Sequence, residues 1–222
     1  ALPPGHPLEN LLREAPDFRQ ERALADALLH PQDRAYSVPQ LFDFIKRGGL
    51  TFGRWFKQAP YSPRCGIAAQ IPLASRMEPL SLEQQYAAVE LFRGTMVRHS
   101  VIVYRDDFPG GPQRISFDDK AWPGYVPIRM SDTVSVQERL PAGAVAVLIN
   151  RTHTYRDLYL PIDSNGKRLF DAIDGKGCIG DIVESTLPSA QKKSQPDMAG
   201  AFFERLWWYD QVVFDRSVIS GR

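Results

Sequence analysis

The chain has 222 residues, 43% hydrophobic and 24% charged, long enough for one large domain or two small ones with proper cores. Its 27 basic and 26 acidic residues leave a formal charge of +1, so no global field draws it to nucleic acid or an anionic membrane. No unbroken apolar run approaches the roughly 20 residues of a membrane helix, and the Ala-Leu-Pro-Pro-Gly-His start lacks a signal-peptide layout. These features predict a cytoplasmic chain with no membrane partner. Cys65 and Cys178 are accordingly expected as free thiols. The missing initiator Met suggests a fragment or a processed chain.

Leu8, Leu11, Leu12, Leu24 and Leu28 recur at helical spacing from Leu8 to Ala27, interrupted by Pro16. Ser37-Val38-Pro39-Gln40 is a capping box that opens a helix with Leu41, Phe42, Phe44 and Ile45 on its apolar face, and Gly48-Gly49 ends it. Leu50, Phe52 and Phe56 alternate as a strand. After a Pro-rich connection, Ser81-Leu82-Glu83-Gln84 is a second capping box, opening a helix expected to reach Arg98. Ser100 to Tyr104 reads as a strand, Asp106 to Trp122 as an exposed loop, and Pro127 marks a domain boundary.

Beyond it, Ala144 to Ile149 and the alternating Leu158, Leu160 and Ile162 read as strands. Ser164-Asn165-Gly166 reads as a turn, Lys167 to Asp174 as a short helix, and Ile179 to Leu187 as another. Ser189 to Pro196 is polar linker, Asp197 an expected cap, and Met198, Phe202, Leu206, Tyr209 and Val213 the stripe of a final helix. Strand, helix, turn, helix and longer helix form the plan of a winged-helix-like unit. The fold class is therefore α+β: a mixed helix/strand module over 1–126, then a small winged-helix-like module over 127–222.

Gly175-Lys176-Gly177-Cys178-Ile179-Gly180 matches G-x-G-x-x-G, but a cofactor loop must follow a strand, and here the preceding segment is helical in pattern. The four histidines are scattered and the two cysteines distant, so no metal site is expected. No nucleophile motif is present, and the adjacent pairs Asp106-Asp107 and Asp118-Asp119 read as solvated loop acids. No catalytic residue is assigned. The segment from Arg151 through His153 and Tyr155 to Arg156 offers two guanidiniums, an imidazole and a ring in six residues. It reads either as an exposed turn satisfying its own backbone or as a loop that grips an anion or a protein partner. In the last helix, Phe203 and Trp207 lie outside the main stripe and are candidates for a second contact. DNA binding through the helix-turn-helix is the alternative reading, yet its second helix begins with acids such as Asp181 and Glu184. An independent enzyme would need a pocket lined by perturbed titratable groups.

Five stretches carry a resemblance: Leu28 to Val38 with its helix, Gly48-Gly49-Leu50-Thr51-Phe52, Phe92 to His99, Asn150 to Tyr155, and the aromatic final helix. Together they resemble the region that follows the cofactor-binding fold in a group of bacterial class I S-adenosylmethionine-dependent methyltransferases. The resemblance implies that S-adenosylmethionine sits on an N-terminal domain ahead of Ala1, which the first half packs on or completes. It also implies a second half like the winged-helix units that grip a protein or peptide substrate. The acidic, glycine-rich cofactor loop of such enzymes has no counterpart here, so no cofactor-binding residue carries over. The expected role is non-catalytic: substrate recruitment or regulation.

Overall fold

The computed structural model describes residues 20–23, 25, 34–96, 98–108, 114–118, 120–187 and 195–217. Of the expected first helix, 21–23 and 25 are helical; the remainder of Leu8 to Ala27 lies outside the described residues, as do Asp119 and 188–194.

Helix α1 (Val38–Arg47) starts where the capping box puts it, with the Ser37 amide donating to Gln40 Oε1 at 2.9 Å. Gly49, at φ +64°, turns the chain into strand β1 (Leu50–Trp55). A short helix α2 (Leu73–Met77) precedes α3 (Leu82–Arg93), whose box is closed by Gln84 N donating to Ser81 Oγ at 3.3 Å. The latter ends five residues before the expected Arg98. Gly94 takes φ +63° and its amide bonds Glu90 O, a left-handed stop.

Strand β2 (Val101–Arg105) returns antiparallel to β1, with Leu50 opposite Arg105 and Trp55 opposite Val101. The register slips between Phe52 and Arg54, at Gly53. A Cβ on Gly53 would stand 2.4 Å from the Tyr104 ring, so glycine is what lets that ring lie over the bulge. Val38, Ile45, Phe52, Trp55, Tyr61 and Tyr86 close the first core, with Trp55 stacked on Tyr61 at 3.8 Å between ring centroids.

The second half adds β3 (Val126–Arg129), β4 (Thr133–Val136), β5 (Ala146–Asn150) and β6 (Tyr159–Ile162). Then come α4 (Ser164–Asp171), α5 (Ile179–Thr186), α6 (Gln195–Trp208) and β7 (Val212–Asp215). The meander β4-β5-β6 is antiparallel, and β3 pairs with β7 in a separate two-stranded ribbon. The fold is α+β.

Pro127 lies inside β3, tolerated because a two-stranded ribbon leaves each strand one unpaired edge. Three expectations shift. Ser164-Asn165-Gly166 is the first turn of α4 rather than a loop, because Asp163 caps it by accepting from Gly166 N at 2.8 Å. The last helix begins at Gln195, two residues ahead of Asp197. It also stops at Trp208, so Val213 belongs to a strand and not to the helical stripe. The glycine-rich segment joins α4 to α5, with Gly175 at φ +77° and Asp174 Oδ1 accepting from Lys176 N and Gly177 N.

The second core gathers Leu148, Leu160, Leu169, Ile179, Phe203 and Leu206, and takes Ala59 and Cys65 from the first half of the chain. Among the described residues no helix is long and apolar enough to cross a membrane. Both cysteines are free thiols.

Candidate functional site

The loop singled out by sequence leaves β5 at Asn150 and re-enters β6 at Tyr159. It is held by buried polar contacts to elements distant in sequence. The hub is Asp210, which follows α6 in a left-handed turn (φ 52°) that Asp tolerates better than most residues. Its carboxylate accepts from the amides of Gln58 at 3.0 Å and Ala59 at 2.9 Å, and lies 3.1 Å from His153 Nε2. Arg54, on β1, brings a guanidinium nitrogen to 3.7 Å. Asn150 Nδ2 donates to the Asp210 carbonyl at 2.6 Å, and its Oδ1 accepts from Thr152. Burial pushes the Arg54 guanidinium below its ordinary value, against the opposing pull of the Asp210 carboxylate.

A second anchor lies on the other side of the loop. The Arg93 side chain is only 3% exposed, at the end of α3. It grips Asp157 in a fork, at 3.2 and 3.3 Å, while Nε donates to Pro60 O at 2.8 Å. Its guanidinium also sits 4.3 Å from the centroid of the Tyr155 ring. Asp157 Oδ2 accepts from Ile67 N at 2.8 Å. Burial alone would raise the Asp157 carboxyl, but the Arg93 and Ile67 hydrogen bonds and the Arg93 charge outweigh it and hold it below the usual carboxylate range. Gly66 completes the anchor: at φ +61°, a Cβ there would stand 2.1 Å from Asp157 Oδ2.

His153 beside Asp210 has the makings of a general-base dyad. Its environment argues for a structural role instead. The imidazole is 2% exposed, and among the described residues its buried Nδ1 has no hydrogen-bond partner, so no substrate proton can reach it in this conformation. The pair is a structural contact at a seam.

No protein-family model matches the sequence. The geometry alone therefore sorts the six candidate contact residues. Arg151 and Arg156 are exposed; His153 is the buried strut just described; Tyr155 is half-buried beneath Arg93. Phe203 is fully buried in the second core, edge-on to Phe202, so no partner reaches it in this conformation. Trp207 is half-buried, with Arg54 over its ring at 5.6 Å.

Asp106 and Asp107 do not act as a pair, since Asp106 accepts from Thr51 while Asp107 binds Arg105. On α5, Asp181 and Glu184 are exposed, and acids there repel a phosphate backbone. Sequence reasoning missed Asp210, Arg54, Arg93 and Asp157. The one available signal is the polar pair Asp210-Gln211 set between the apolar runs Leu206 to Tyr209 and Val212 to Phe214.

Proposed function

We propose that this chain is the non-catalytic, substrate-recruiting or regulatory C-terminal region of an S-adenosylmethionine-dependent methyltransferase. In this reading a preceding catalytic domain holds the cofactor and performs the transfer. The observation that carries the reading is the construction of the 151–156 loop. His153 and Tyr155 are pinned by Asp210 and Arg93, while Arg151 and Arg156 point their charge to the surface. A loop pinned at two points presents its guanidiniums at little entropic cost, which suits the recognition of carboxylates on a protein or peptide substrate. Exposed apolar side chains on the first half, Phe44, Phe56 and Leu91 (81% exposed), supply the kind of surface a catalytic domain would cover.

The test compares methyl transfer by the longer polypeptide with and without R151A and R156A. The reading expects KM for the protein substrate to rise several-fold while kcat and the KM for S-adenosylmethionine hold. A fall in kcat alone, or no change, would overturn it.

A further inference from the structure

The seam between the two halves opens into a cleft of about 530 Å³, formed where the bulge of β1 and the N-terminal half of α3 face the end of α6 and the outer end of β7. Three guanidiniums line it, from Arg54, Arg114 and Arg216, and among the described residues no carboxylate does. Arg54 is already balanced by Asp210 behind the wall. Among the described residues, Arg114 and Arg216 stand in no ion pair. Arg216 is held in place, donating from one terminal nitrogen to the Arg114 carbonyl at 2.7 Å and lying over the Tyr125 ring. Aromatic side chains make up about half of the remaining lining: Tyr86, Tyr104, Trp207, Trp208 and Phe214 border the cavity, alongside the aliphatic Leu82 and Ile115.

Uncompensated positive charge beside flat aromatic walls has a specific chemical complement. A planar ring stacks on the aromatic faces, and an anionic substituent satisfies the guanidiniums bidentately. From this arrangement the geometry points to a binding site for a small aromatic anion, a ring system bearing a phosphate or carboxylate group. The volume lies within the range of small-ligand sites and suits a ligand of one or two rings. S-adenosylmethionine fits less well, since its sulfonium would face the unpaired guanidiniums of Arg114 and Arg216.

The probe is 1-naphthyl phosphate, titrated into the 222-residue chain and followed by calorimetry, with the emission of its four tryptophans read alongside. Neutral 1-naphthol, inorganic phosphate and S-adenosylmethionine are titrated in parallel. Saturable binding of 1-naphthyl phosphate is expected. Both 1-naphthol and inorganic phosphate should bind at least ten-fold more weakly, and S-adenosylmethionine should not displace the probe. R114Q and R216Q should each weaken binding about ten-fold, the loss of one charged hydrogen-bonding group. Arg114 is exposed, so R114Q tests the site even if R216Q unfolds. Equal affinity for 1-naphthol would mean a merely greasy groove and would overturn the assignment. So would an R114Q variant that is folded, by circular dichroism, and binds the probe as tightly as the parent.

Discussion

Asp210→Ala tests whether the buried hub holds the two halves together. The substitution leaves the Gln58 and Ala59 amides, both buried, without acceptors, at about 1–3 kcal/mol each. It also strips Arg54 and His153 of their carboxylate and puts Ala at φ 52°, where it is less tolerated than Asp. Breaking a buried pair in this way typically costs about 3–5 kcal/mol. That is a large part of the roughly 5–15 kcal/mol that holds a domain folded. Urea unfolding, read by tryptophan emission, should show the midpoint falling by more than about 1 M at a slope of about 2–3 kcal/mol/M. Two controls separate the causes. Asp210→Asn keeps one oxygen and should lose roughly half as much; Asp210→Gly frees the backbone angle yet loses every acceptor, and should fall close to Asp210→Ala. A midpoint for Asp210→Ala within about 0.2 M of the parent would refute the hub as described.

Gly66→Ala must push Asp157 off Ile67 and Arg93 and strain a left-handed residue; a loss of more than about 1 kcal/mol is expected by urea unfolding, and parent-like stability would contradict the packing. Because the folded Asp157 carboxyl lies below its unfolded value of about 3.9, its contribution is complete above that pH and drains away as pH falls toward the folded value. Unfolding free energy measured from pH 6 down to pH 2 should therefore fall less steeply for Asp157→Asn than for the parent, and identical slopes would remove the carboxylate from the account. Cys65 is fully buried and its thiol is pushed up by that burial, whereas Cys178 is partly exposed. A disulfide reagent should modify Cys178 in the native chain and Cys65 only after unfolding; equal rates would contradict the second core. Phe203→Ala should cost about 3–5 kcal/mol, the value for a buried aromatic, and near-neutrality would return Phe203 to the surface.

What the sequence discloses follows the range over which each feature is determined. Ser37 and Ser81 start helices through partners three residues away, and Gly94 stops one through its own φ angle, so these boundaries are local chemistry. The overrun to Arg98 came from following the apolar stripe through Met96 past that glycine. The ribbon of β3 and β7 joins four-residue strands more than 80 positions apart, and a proline within one of them reads as a breaker. Neither strand carries enough pattern to declare itself alone. The buried charges are harder still. Arg93 meets Asp157 across 64 positions and Asp210 meets Ala59 across 151, and no local spacing encodes such pairs.

The aromatic final helix shows the same limit from the other side. Its surplus of aromatic residues over one apolar stripe is legible in the sequence, but what covers that surplus is not. Ala59 and Cys65, from the first half of the chain, enter the core that surrounds Phe203. In the loop from Arg151 to Arg156, His153 and Tyr155 are structural struts while Arg151 and Arg156 face solvent.

The proposed function puts methyl-transfer chemistry on a domain other than this one. Calorimetric titration of S-adenosylmethionine, and of its demethylated product, into the 222-residue chain tests it most directly. The account expects no saturable heat with either compound up to millimolar concentration. Binding of either at micromolar strength would contradict it and would place a cofactor site within these residues.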